Sequence, residues 1–173
     1  MKKNLLILAI LFSSILLNAQ DFRNAKWGSL PEEVKRTENA RLIKEEDGLL
    51  VYSGHIDGKL ASIWYLFSNS GLYKINIKFQ VDKGQDYLRC VDTHVRLISL
   101  FTNKYGIPEE GIAPWVRKYA SAGRDKRREI MSQMMKEEMT SDLTWKSGTS
   151  KIELSLKLSG EFKPVHSLTY TAL

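Results

Sequence analysis

Cys90 and His94, four residues apart, are the pair in this chain that comes nearest to chemistry. That spacing puts both side chains on one helix face. A thiolate beside an imidazole is how a cysteine nucleophile is activated, and it is also half of a metal site. A complete site needs more ligands, and nothing in the order of residues brings His55 or His166 to that face. Both residues also fall within an apolar stripe, where an unpaired cysteine usually behaves as a small buried hydrophobe. Core packing is therefore the expectation for the pair. Ser53-Gly54-His55 with Asp57 holds the residue types of a hydrolase triad. The chain has no Gly-x-Ser-x-Gly elbow, and residues so close along one strand and turn cannot converge as a triad must. They read as a β-turn with polar side chains. Glu32-Glu33 and Glu137-Glu138 are adjacent carboxylates, which point in different directions on a helix. They read as a helix-start charge and a solvated face. No catalytic, cofactor-binding or metal-binding residue is assigned from the sequence, and no cofactor is expected.

A different kind of chemistry is concentrated further along. Residues 117 to 128 hold six basic side chains and one acidic one, and a run of methionines follows. Methionine repacks readily against varied partners. Trp115, Arg117, Lys118, Arg124, Lys126, Arg127, Arg128, Met131, Met134 and Met135 could thus form an exposed docking element. Such an element suits an anionic membrane surface or a protein partner. The plainer reading, which the residues favour, is a mobile loop and a helix whose Met face covers one end of a sheet. Among the tryptophans, Trp27, Trp64 and Trp145 fall on or beside strand patterns, and Trp115, next to Pro114, is expected to be the exposed one.

The elements that must carry these residues are readable from periodicity. Ser29-Leu30-Pro31-Glu32 has the form of a capping box, opening a short helix from Leu30 to about Asn39. Three strand signals follow: Leu50 to Ile56, Ala61 to Ser68, and Tyr73 to Val81. In the last, Tyr73, Ile75, Ile77, Phe79 and Val81 alternate with Lys74, Asn76, Lys78 and Gln80, marking one buried and one wet face. Asn69-Ser70-Gly71 makes the second and third a hairpin. From about Asp86 to Tyr105 the period becomes helical. Leu88, Val91, Val95 and Ile98 run beside Cys90, His94, Leu97 and Phe101, and Gly106 and Pro108 close the helix. After the irregular, basic Met-rich insert at 111–140 come three more strands, through Leu143 and Trp145, Ile152 to Leu158, and Val165 to Thr171. The expected fold class is α+β. It is a tandem of helix–three-strand units (29–81 and 86–173) joined into a curved antiparallel sheet with both helices on one side.

The start of the chain predicts its destination. Lys2 and Lys3, an apolar run from Leu5 to Leu17, and Asn18-Ala19-Gln20 have the layout of a secretory signal cleaved near Ala19. The run is about thirteen residues, short of the roughly 20 that cross a bilayer. Residues 20–173 are expected to form a single domain, exported to the periplasm or beyond. Cys90, the one cysteine, cannot make an internal disulfide, so stability must come from the core. The net charge of +6 would suit nucleic acid, but export makes lipid headgroups, cell-wall polymers or another envelope protein the expected partners.

Several of these pieces carry a resemblance. Asp21-Phe22-Arg23-Asn24-Ala25-Lys26-Trp27-Gly28, followed by Pro31-Glu32-Glu33-Val34, resembles the W-G-x-S-x-E-E-V start of a family of small exported bacterial proteins. Lys104-Tyr105-Gly106-Ile107-Pro108 and the Trp145-to-Tyr170 ending share its rhythm. The tandem helix–three-strand plan is similar to β-lactamase-inhibitor-protein-like folds and to the small BamE/SmpA envelope lipoproteins. The resemblance implies a binding or assembly role without catalysis. The expectation is an exported, non-catalytic binding or envelope-associated protein. The alternative is a hydrolase of envelope material, and the two differ in whether histidine and carboxylate side chains converge in a pocket.

Overall fold

The computed structural model describes residues 22–81, 87–134, 136, 138–158 and 164–173. The expected signal segment and Met135 lie outside them, as does Glu137. In chain order the elements are α1 (Pro31–Thr37), β1 (Arg41–Glu46), β2 (Leu49–Ile56), β3 (Lys59–Ser68), β4 (Gly71–Phe79), α2 (Tyr87–Tyr105), α3 (Pro114–Ala120), α4 (Arg124–Met134), β5 (Met139–Lys146), β6 (Ser150–Leu158) and β7 (Val165–Ala172). The seven strands make one sheet in the order β1-β2-β3-β4-β7-β6-β5, with every neighbouring pair antiparallel. The chain is thus α+β, with its helices packed against an antiparallel sheet.

Alternation along the strands builds one apolar face, because period-2 side chains in register fall on the same side. One cross-strand row runs Tyr52–Ile63–Ile77–Leu168–Leu154–Leu143 and the next runs Leu50–Tyr65–Ile75–Tyr170–Ile152–Trp145. All twelve are buried, and Val34 of α1, Leu97 and Ile98 of α2 and Val116 of α3 join them in one core. The β4–β7 pairing carries both rows from the first half of the chain to the second. A second cluster at the other end of α2 joins Cys90 and Val91 to Tyr119, Ile130, Met131, Leu156 and Leu158.

The first half has four strands, not the three expected. β1 was hidden because all six of its residues are exposed, and an edge strand wet on both faces has no period of two to read. The turn that announces it, Asp47-Gly48, was nevertheless in the sequence, and Asp-Gly between two strands is a strong hairpin signal. Asp57-Gly58, both with positive φ, makes the next hairpin. Ser53, Gly54 and His55, expected in a turn, instead pair within β2 against Ser62, Ala61 and Leu60.

The helix start also moved by one residue. α1 is capped by Leu30, which has no side-chain acceptor; only the return half of a box forms, with Leu30 N–H donating to Glu33 Oε2 at 2.8 Å. Ser29 is otherwise engaged: its carbonyl accepts from Leu72 N–H at 2.9 Å, and Gly28 N–H donates to Leu72 O at 2.9 Å. The lead-in thus seats on the start of β4. A Cβ on Gly71 would come within 2.1 Å of Gly28 O, so this seat requires glycine there. The insert holds two helices, and the methionine run divides: α4 ends at Met134, while Met139 opens β5.

Candidate functional site

Three groups of polar side chains are gathered by the fold, two of them buried and one open to solvent. The first lies under α2. Ser141 of β5, Leu156 of β6 and His166 of β7 form a cross-strand row, and α2 lays His94 over it. His94 bridges the row: its Nδ1 is 3.3 Å from His166 Nε2 and its Nε2 is 2.9 Å from Ser141 Oγ. Phe79 stacks on the His166 ring with centroids 4.4 Å apart. The convergence of His94 with His166 was invisible in the sequence because 72 residues separate them.

This group has the residue types of a nucleophile and base. His94 is 0% exposed and His166 3%, and Ser141 is buried as well. The space beside them, lined by Phe79, Cys90, Thr93 and His166, is a cavity of about 20 Å³, room for about one water molecule. Burial holds the His94 ring well below its ordinary pKa, and the neighbouring His166 lowers it further. Burial likewise lowers His166, to about 4. Two neutral rings can share protons with each other and with Ser141, so both nitrogens of His94 find partners inside the core. Cys90 is buried close by, in keeping with the core packing expected for it. Among the described residues no three His, Cys, Asp or Glu side chains converge to hold a metal ion.

A second buried polar group is built around Glu38, whose side chain is 2% exposed. Its carboxylate accepts from Arg23, from the Tyr65 hydroxyl and from Ala40 N–H, the last at 2.8 Å. Arg23 also donates to the His55 carbonyl at 2.9 Å. Burial, and then the bond to Glu38, push the Tyr65 phenol well above its ordinary pKa. The group fastens the lead-in to the end of α1 and to β3. The other sequence candidates are dispersed. Asp57 pairs with Arg96 of α2, Glu32 with Lys35, and Glu138 with Lys157.

The basic group is open to solvent. Arg89 and Asp92 of α2, Tyr119 of α3, and Arg124, Arg127 and Arg128 of α4 line a cleft of about 320 Å³. Arg127 is tied down: it donates to the carbonyls of Tyr119 and Ala120, both at 3.1 Å, and lies 3.3 Å from Asp92 Oδ1. The Tyr119 hydroxyl also donates to Asp92, at 2.9 Å. The one carboxylate lining the cleft is thereby committed to Arg127 and Tyr119. Arg128 has only Asp125, at 3.8 Å, and Arg89 and Arg124 have no ion pair among the described residues. Guanidinium groups facing one another with so little compensation raise the affinity of the cleft for a phosphate or carboxylate.

The residues proposed for docking therefore separate. Arg124, Arg127 and Arg128 line this cleft, whereas Arg117, Lys118 and Lys126 are exposed around it, with Lys126 held by Glu129 at 2.8 Å. Met131 takes no part in an exposed docking element: it is 4% exposed and packs with Ile130 against Cys90 and Leu156, which agrees with a helix whose Met face covers the sheet. An amphipathic α4 buries one face, and Met131 is on it. Trp115 is corrected: it is half-buried against both core clusters and donates from Nε1 to Thr140 O at 3.0 Å. Met134 closes α4, and Met135 lies outside the described residues. Arg89 and Asp92 escaped the sequence reading because only the packing of α4 on α2 brings them to the basic run. No helix among the described residues is long and apolar enough to cross a membrane. No family model matches the chain, and neither a curated protein nor a solved structure matches it.

Proposed function

We propose that this protein is an exported, non-catalytic binding protein that holds an anionic group of an envelope component at the α2–α4 end of the domain. The observation that carries this reading is the arginine cleft, with four guanidinium groups around one carboxylate already committed to Arg127 and Tyr119. The leader expected over residues 1–19 would bring the cleft to a compartment rich in lipid phosphates and acidic polymers. The apolar face of the sheet is consumed by its own helices, so the charged end is the better ligand surface. The hydrolase alternative draws on His94, His166 and Ser141. Their burial beside a cavity of about 20 Å³ leaves no room for a substrate, so they support it weakly.

The test is co-sedimentation of residues 20–173 with vesicles of phosphatidylglycerol mixed into phosphatidylcholine, against phosphatidylcholine alone. Binding should require the anionic lipid and weaken with added salt. Arg89→Ala combined with Arg124→Ala should weaken it by about tenfold or more. Equal binding to neutral vesicles, or an unchanged affinity in the double variant, would remove the reading.

A further inference from the structure

A second opening lies next to the arginine cleft. Val95, Ile98, Ser99 and Thr102 of α2, with Ile112, Val116 and Ala120 from the facing segment, line a groove of about 230 Å³ whose walls are mainly apolar. Its rim carries Arg117, which has no ion pair among the described residues. The groove and the cleft share both walls. On α2 the cleft uses Leu88, Arg89 and Asp92 and the groove begins at Val95, about 4.5 Å further along at 1.5 Å per residue. On α3 the cleft uses Tyr119 and the groove uses Ala120, the next residue. From Arg89 to Thr102 the two together extend roughly 20 Å along the helix.

We propose that the two openings form one site for an anionic amphiphile, with the phosphate or carboxylate head in the arginine cleft and the acyl chain in the α2–α3 groove. The proposal rests on the anion-binding reading above and adds to it the second half of the ligand. Charge complementarity selects the head: Arg89, Arg124 and Arg128 on one side, and Arg117 on the rim, favour an anionic group over a cationic one, and the carboxylate of Asp92 is already engaged by Arg127 and Tyr119. The shape selects the tail. A narrow apolar groove between two helices loses water most favourably to a flexible hydrocarbon, each buried methylene adding to affinity. The committed occupant is a single lipid-like molecule, not a peptide helix, because the groove is too small for the face of a helix about 10 Å across.

Ethyl phosphate and octyl phosphate, the latter below its micelle concentration, separate head from tail in calorimetric titrations of the protein. Octyl phosphate should bind more tightly, by roughly tenfold for each two methylenes the groove takes up. Ser99→Phe and Ala120→Phe, exposed positions on opposite walls, should each abolish that gain while leaving ethyl phosphate affinity unchanged. Arg89→Ala with Arg124→Ala should weaken both ligands. Equal affinity for the two phosphates, with both still sensitive to the arginines, would overturn the amphiphile site and leave the anion-binding reading intact. A chain-length gain that survives both phenylalanine substitutions would also overturn it, by placing the chain elsewhere. Indifference of both phosphates to the arginine substitutions would remove both. Octyltrimethylammonium binding as tightly as octyl phosphate would overturn the assignment of the head.

Discussion

The buried polar groups and the arginine cleft contain similarly reactive side chains, but in opposite states. His94 is met by His166 and Ser141, and Glu38 is met by Arg23, Tyr65 and a backbone N–H, all within the fold. The cleft instead gathers like charges and leaves Arg89 and Arg124 unpaired among the described residues. The first state is what a domain does with polar groups it must bury; the second is stable only because water solvates it. Convergence of titratable groups therefore does not by itself mark a site. Spare capacity facing an accessible space does, and of these groups the cleft is the one that has it.

The largest effect of a single substitution that would sharpen this contrast is at the partner of Glu38. Arg23→Ala leaves a buried carboxylate without its cation and should cost about 3 kcal/mol or more of unfolding free energy, read from urea titrations. A loss below about 1 kcal/mol would show Glu38 to be far better solvated than its burial implies.

The histidine pair should make stability depend on pH in a defined window. Both rings are held neutral in the fold, His166 down to about 4 against an ordinary value of 6.5. Between those values the unfolded chain binds protons that the folded one does not, so stability rises with pH through the window. The contribution is complete above about pH 6.5 and is lost as pH falls toward 4, at about 1.4 kcal/mol per pH unit for each ring. Urea midpoints at pH 7.5 and 5 should differ accordingly, and His166→Phe should flatten the dependence. A midpoint unchanged between those pH values would mean that the rings are not buried neutral.

The smallest effect belongs to the cleft and is the most diagnostic. Removing Arg89 and Arg124 should change stability by no more than about 0.5 kcal/mol, since neither has an ion pair among the described residues and both sit at the surface. The same double variant that weakens anion binding should unfold at the wild-type urea concentration. A large loss of stability would move these arginines to the structural side of the comparison.

Much of this architecture was legible before any coordinates. The strict alternation of β4, the broad apolar stripe of α2 and the turn at Asn69-Ser70-Gly71 are local patterns, and each appears where its residues placed it. β1 escaped because an edge strand exposed on both faces shows no alternation. The helix start slipped by one residue because the backbone of Ser29 is spent on Leu72, a contact 43 residues away that no capping rule contains. Trp115 is less exposed than its place beside Pro114 implies, for a related reason. A pattern shows that a helix has an apolar face, but not which neighbour covers it.

Residue order by itself determined most of the secondary-structure classes, the α+β plan and the concentration of positive charge between residues 117 and 128, because periodicity, turn chemistry and charge are local properties of the chain. Only the tertiary structure decided which of the reactive side chains are spent. His94 meets His166 across 72 residues, and Arg127 reaches back 35 residues to claim Asp92. Whether a polar group retains capacity for a ligand depends on its neighbours in space, and packing assigns those without regard to separation along the chain.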